Sequence, residues 1–171
     1  MTAAPRIETE RLVLRPYRLS DWERFAAFYE SDASRYVGGP LPRPRSWNGF
    51  AADVGSWDLF SFGWWSVEET AIGACVGQVG LSHPPHFPEQ EVGWTIFPEF
   101  QRRGFAAEAA RAARRFAYGE LGWRTAVSYI DRDNAASIAL ARRLGCTEDP
   151  RAARFDPEDM VFRHPAPQAL Q

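Results

Sequence analysis

Val92-Gly93-Trp94-Thr95-Ile96-Phe97, followed by Pro98-Glu99-Phe100-Gln101-Arg102-Arg103-Gly104-Phe105-Ala106-Ala107-Glu108-Ala109, is the stretch that decides the fold. An apolar, strand-like run stops at a proline, a short loop with one glycine follows, and an alanine-rich helix begins. This order leaves several backbone N–H groups at a helix start without intrahelical partners, where the helix dipole favours negative charge. Such a turn suits a phosphate or pyrophosphate. Gly104 has no Cβ to keep an anion from the main chain, and Arg102 and Arg103 add guanidinium forks that match phosphate oxygens.

Working outward, the pattern on both sides is that of alternating strands and helices. Arg11–Pro16 alternates apolar and charged residues and reads as a strand. Ser20-Asp-Trp-Glu23 reads as a capping box opening a helix, and Ser46–Leu59 as a second helix with Trp47, Phe50, Val54 and Trp57 at helical spacing. Phe62–Val67, Ala71–Leu81 and Glu91–Phe97 read as strands, the first two forming a hairpin around Glu68-Glu69-Thr70. After the loop come a helix over Phe105–Leu121, a strand over Arg124–Ile130, a helix over Asn134–Leu144 and a strand over Met160–Arg163. The strand-helix-strand unit over 91–130 predicts one parallel pair with a right-handed crossover. The expected class is α/β: a mixed, mostly antiparallel central sheet of six to seven strands with helices on both faces. No repeat or linker divides the chain, so a single domain over residues 1–171 is expected, with a short disordered tail from about 165.

Composition narrows the chemistry. Seven Trp and twelve Phe in a chain that is 45% hydrophobic support a packed core. A net charge of −2 gives no reason to expect nucleic acid or a membrane surface as partner. No apolar run approaches a membrane span, and the N-terminal stretch has no signal-type apolar core, so a cytoplasmic protein is expected. All 20 basic residues are arginine, which excludes lysine nucleophiles, Schiff bases and P-loop lysines. Cys75 and Cys146 lack metal or redox spacing and read as buried thiols. His83-Pro-Pro-His86 with Glu89 lacks a fourth ligand and reads as an ordinary loop, so no metal is expected. Arg111, Arg114, Arg115, Arg142 and Arg143 read as solvated helix faces.

The pattern Gln-x-x-Gly-x-Ala at 101–106 resembles the acyl-CoA pyrophosphate loop of the GNAT N-acetyltransferase superfamily. Four other pieces agree, in the right order. Ile7-Glu-Thr-Glu-Arg-Leu-Val-Leu-Arg-Pro16, Glu91-Val-Gly-Trp94, Asn134-Ala-Ala-Ser-Ile-Ala-Leu-Ala-Arg-Arg-Leu-Gly145 and Val161-Phe-Arg-His-Pro165 are similar to segments of its ribosomal-protein alanine N-acetyltransferase branch. The resemblance implies the GNAT fold and acetyl-CoA as co-substrate, with no metal. It implies that the backbone of Gln101, Arg102, Arg103, Gly104, Phe105 and Ala106 cradles the pyrophosphate. Ile96 and Phe97 would pair main-chain groups with the pantetheine arm, Asn134 would contact pantetheine near the thioester, and Ser137 would lie close to the sulfur. Helix capping explains Asn134 and Ser137 equally well from sequence alone.

Transfer of acetyl to an amine needs a proton acceptor and an oxyanion donor, for which a strand N–H near Phe97 is the candidate. Glu91, an acid on an apolar strand, is the expected base, with a salt-bridged edge glutamate as the alternative. Asp131 and Asp133 read first as turn formers. The family's acid tyrosine would fall at Ala141, which leaves Ser137 with water, or unassisted departure of the thiolate. Trp47, Phe60, Trp64 and Trp65 are candidates for an acceptor pocket or for core. The expected activity is therefore acetyl transfer from acetyl-CoA to a primary amine of a small molecule or a protein N-terminus, by direct attack in a ternary complex. The alternative is a non-catalytic acyl-CoA-binding module of the same fold. Exposed aromatics or the C-terminal tail would support a homodimer.

Overall fold

The computed structural model describes residues 4–170; residues 1–3 and 171, the extremities of the N-terminal stretch and of the tail, lie outside it. The elements are β1 (Ile7–Glu8), β2 (Leu12–Arg15), α1 (Trp22–Glu30), α2 (Arg43–Phe60), β3 (Trp64–Glu69), β4 (Ala74–Ser82), β5 (Glu91–Ile96), α3 (Phe105–Gly119), β6 (Val127–Asp131), α4 (Ala135–Arg143), β7 (Thr147–Glu148) and β8 (Asp159–Arg163). They form one sheet in the order β1-β2-β3-β4-β5-β6-β8-β7. Every neighbouring pair is antiparallel except β5 and β6. The sheet thus has eight strands, where the sequence pattern predicts six to seven. The additions β1 and β7 are two residues each, too short to show an alternation.

Helices cover both faces, and side-chain parity decides which residues meet which. Trp65 in β3 packs its ring 5.4 Å from Phe116 of α3. Its neighbour Ser66 points the other way and donates to Asp21 at the start of α1 (2.8 Å). Asp21 also takes a bidentate bond from buried Arg15 (2.7 and 2.8 Å) and accepts the Arg18 N–H (2.9 Å). The expected Ser20–Glu23 capping box is therefore replaced by Asp21 reaching back, because that carboxylate also joins α1 to the sheet. The alanine face of α3 lies on β4 and β5 with Leu12, Val67, Val76, Val79 and Val92 in one core. The small side chains let the helix approach closely.

Two further differences from the sequence pattern concern turns. The β3–β4 hairpin turns at Thr70–Gly73, not at Glu68–Thr70, with Gly73 at φ 64°. Ahead of that turn, the pairing jumps from Val67↔Gly77 to Glu68↔Cys75, leaving Val76 bulged. The segment after 165, expected as a disordered tail, forms a 3-10 turn over Pro167–Leu170. The Pro165 carbonyl there accepts the Tyr118 hydroxyl (3.0 Å). Among the described residues no helix is long and apolar enough to cross a membrane.

Candidate functional site

β5 and β6 run parallel but pair only at their beginnings, Glu91↔Val127, with Val127 N–H donating to Gln90 C=O (2.9 Å). Beyond this point the strands diverge. The next rung would join Tyr129 N–H to Val92 C=O, and two side chains take its place. The Val92 carbonyl accepts the Ser128 hydroxyl (2.6 Å), and the Glu91 carboxylate lies beside the Tyr129 main chain, which stabilises its charge.

Ser128 is held from behind. Arg114 gives Nη1–H to Leu144 C=O (2.9 Å) and to His164 Nδ1 (3.2 Å), so His164 carries its proton on Nε2, which faces Ser128 Oγ at 3.0 Å. Burial, and then the neighbouring Arg114, hold His164 down to about 3, neutral throughout the physiological range. The chain Arg114–His164–Ser128–Val92 delivers a single hydrogen bond direction. It is not a nucleophilic dyad, because the Ser128 proton already belongs to a carbonyl. Arg114 is thus a correction to the solvated-face expectation: it is buried, at 6% exposure.

The wedge opens a cleft of about 480 Å³ that is lined from both faces of the sheet. On the α3–α4 side lie Val92, Trp94, Ser128, Ile130, Asn134 and Ser137. On the α1 side lie Glu91, Tyr29, Trp64, Phe87, Tyr129 and Phe155, with the Arg35–Gly38 loop at the rim. Asn134 caps α4 by accepting the Ser137 N–H (3.1 Å), and the Ser137 hydroxyl has no partner among the described residues. Glu91 loses water here, which pushes its carboxyl up to about 8 against the stabilising Tyr129 main chain, with Asp159 adding to the rise. It forms no salt bridge among the described residues, so the edge-glutamate alternative is not what the structure has. Cys75 and Cys146 are buried free thiols, each pushed up to about 11 chiefly by desolvation, so neither offers a thiolate.

Main-chain groups along β5 alternate in direction. Since Val92 faces the wedge, Trp94 and Ile96 face it too. The Ile96 carbonyl accepts Gln101 Nε2 (2.9 Å), which ties the loop to the strand. Phe97 is a correction: its N–H is turned to β4 and donates to Val76 C=O (2.9 Å), while its C=O accepts Phe100 N–H (2.9 Å), so its N–H is open to neither pantetheine nor an oxyanion. The N–H that does face the wedge, by strand parity counted from the β5–β6 rung, is that of Trp94, a direction that the sequence alone does not give.

The wedge ends at the loop 101–105. Arg102 is left-handed at φ 61° and Gly104 at φ 83°, a curled backbone that turns N–H groups inward. None of the N–H groups of Arg102, Arg103, Gly104 and Phe105 donates to a protein acceptor among the described residues. Ala106 follows in the first turn of α3. The Arg103 guanidinium is engaged by Glu69 and lies over the Phe105 ring (4.6 Å). A third arginine joins them from β1–β2: Arg11 bonds Glu108 (2.8 Å) and the Arg103 carbonyl (2.9 Å). Arg11, Arg111, Arg115 and Arg143 line a shallow groove that adjoins Gly104. An anion thus meets free donors and positive charge together, which fits a pyrophosphate.

The other expectations separate. Trp65 is fully buried core and Trp64 reaches the cleft, where its ring lies on Gly80 and Gly93; a Cβ at Gly93 would meet Trp64 Cη2 at 2.7 Å. Trp47 stacks on Phe50 and Phe60 on Phe62, both outside the cleft lining. Ala141, the expected place of an acid tyrosine, is fully buried. Asp131 accepts the Asp133 N–H (2.8 Å) as a turn former and also lines the cleft. His86 packs on Phe87 and Phe155. Among the described residues no three His, Cys, Asp or Glu are placed to hold a metal.

Residues 11–147 match the acetyltransferase (GNAT) domain family. The chain is 42% identical to an acetyltransferase from Agrobacterium tumefaciens strain C58, whose crystal structure superposes with a TM-score of 0.91 over 95% of each chain. It is 27% identical over 150 residues, 82% of each protein, to YoaA of Bacillus subtilis strain 168, an uncharacterised N-acetyltransferase. It shares its fold, at 15% identity and a TM-score of 0.75 over 95% of this chain and 98% of the other, with the ribosomal L7/L12 alpha-N-protein acetyltransferase RimL in complex with coenzyme A.

Proposed function

The chain belongs to the GNAT acetyltransferase family, and from that premise and the cleft we propose that it moves the acetyl group of acetyl-CoA to a primary amine by direct attack in a ternary complex. The observation that carries this reading is the replaced rung, which opens the sheet and sets Glu91 at the opening. We assign the catalytic domain to the whole chain.

Acetyl-CoA supplies an activated thioester. The N–H groups of Arg102 to Ala106 would take its pyrophosphate, as would the positive charge of Arg11 and Arg102. The nucleotide end would leave along the groove of Arg111, Arg115 and Arg143. Trp94 and Ile96 would bond the pantetheine amides like an added strand, with Asn134 near the thioester. The Trp94 N–H is aimed to receive negative charge on the thioester oxygen as the amine adds. Glu91 accepts the amine proton as the C–N bond forms and the C–S bond breaks. Ser137, or a water beside it, returns a proton to the sulfur, since the chain has no tyrosine at position 141.

A base pushed up to about 8 must be ionised to act, so transfer should rise with pH and level off above that value. Following release of the CoA thiol tests this. Glu91→Gln should lower kcat by about a hundredfold to ten-thousandfold and flatten the pH profile while leaving CoA affinity unchanged. A variant with the wild-type rate, or one that loses CoA binding instead, would reject the assignment.

A further inference from the structure

The acceptor half of the cleft carries charge that attack by a single amine does not use. Asp131 on β6 and Asp159 on β8 stand directly opposite each other, and like charges so placed destabilise a sheet. Asp156 lines the same space. Loss of water, then Asp156 and Asp131, push the Asp159 carboxyl up to about 6. Although the chain has 20 arginines, none forms an ion pair with Asp131, Asp156 or Asp159 among the described residues. Arg154, the opposing charge that Asp159 feels, gives its guanidinium to the backbone carbonyls of Asp159 (3.0 Å) and Pro150 (2.8 Å). Arg35, the cation in the described lining, lies over the Tyr36 ring at 4.6 Å.

Between Glu91 and these aspartates stands an aromatic wall. Phe87 and Phe155 stack at 4.4 Å and 12°, and Tyr129 meets each edge-on at 5.4 Å. Its hydroxyl accepts the Glu89 N–H (3.1 Å), which fixes the ring. Phe155 is 44% exposed, a large apolar surface kept at the mouth. Such rings cover hydrocarbon and their faces attract cations. The strand register also sets a spacing. Glu91 stands opposite Val127 and its carboxyl reaches towards the Tyr129 main chain, from which Asp131 lies two residues further along the same strand, a rise of ~7 Å. A butyl or pentyl linker spans that interval.

Resting on the acetyl-transfer reading above, we infer that the acceptor is a short linear diamine or polyamine. Its reacting amine meets Glu91, its second ammonium sits between Asp131 and Asp159, and its methylenes lie along Phe87, Tyr129 and Phe155. The unpaired aspartates then have their counter-ion in the substrate.

Calorimetric titration of the CoA-loaded protein with diaminobutane and with butylamine separates the second charge from the chain. The diamine should bind about tenfold tighter or better, and the double variant Asp131→Asn, Asp159→Asn should bring the two amines within about twofold of each other. That variant removes a repulsion, so it is expected to fold at least as well as the parent. Equal affinities in the wild type, a preference that survives the double substitution, or tighter binding of a peptide that has a free N-terminus and no charged side chain overturns the inference. Binding is read without turnover, so selective diamine binding with no release of CoA thiol from acetyl-CoA would reject the transfer reading and leave the diamine site standing.

Discussion

The two ends of the wedge are built by different means. At the loop end, the recognition groups are main chain: free N–H groups of Arg102 to Phe105 in a curl set by φ 61° at Arg102 and 83° at Gly104. These groups come from one contiguous segment, braced by Gln101 on Ile96. At the acceptor end, the groups are side chains from five separate segments: Tyr36, Trp64, Phe87, Tyr129 and Phe155, with Asp131, Asp156 and Asp159 among them. A main-chain site accepts almost any side chain so long as its dihedrals survive. A side-chain site can change its ligand residue by residue without disturbing the fold. The first arrangement suits a fixed co-substrate and the second a variable acceptor.

Between the two ends lies the hinge of the comparison, where side chains replace one rung of the ladder. Ser128→Ala should break it most. It orphans the Val92 carbonyl and the His164 Nε2–H, at a cost of about 1–3 kcal/mol for each buried group left unpaired. Denaturant unfolding should register that loss, and the transfer rate should fall with it because Glu91 and Ser128 replace the same rung. Unchanged stability would mean that water or a local shift satisfies both groups and that the Arg114 relay does not hold the wedge.

A smaller change sharpens the acceptor side alone. Gly93→Ala places a methyl against Trp64 Cη2, at 2.7 Å before any movement, so the indole must lift from the cleft floor. The acceptor KM should rise by roughly threefold to tenfold, the range that a displaced wall implies, with acetyl-CoA affinity unaltered. Equal effects on both substrates would show that the two ends are not separable.

The same contrast explains what the sequence could disclose. The loop was legible because its signal is local: a strand stop, Gly104 and an alanine-rich helix within a dozen residues. Glu91 was legible as an acid on an apolar strand, although its approach to the Tyr129 main chain depends on where β5 and β6 part. The acceptor wall was not legible. Phe87 sits in a proline-broken loop and Phe155 in irregular chain, and neither has a periodicity. Trp64 and Trp65 are adjacent, so only the register decides which faces the cleft. Arg114 resembled its neighbours on an arginine-rich helix, and only the packing of α4 and β8 against that face turned it inward to Leu144 and His164. Phe97 was misplaced because the β4–β5 ladder continues past Ile96: in that register Phe97 stands opposite Val76 and gives its N–H to that carbonyl.

The central claim is that acetyl-CoA enters the wedge by the curled loop at 101–106. Calorimetric titration of the protein with acetyl-CoA, in parallel with Gly104→Trp, addresses it most directly. Gly104 is at φ 83°, and even a Cβ there would come within 3.2 Å of Arg11 Nη2, so an indole both strains the curl and covers its N–H groups. The account predicts micromolar binding to the wild type and its loss in the folded variant. Equal binding by both proteins, or none by a folded wild type, would contradict it.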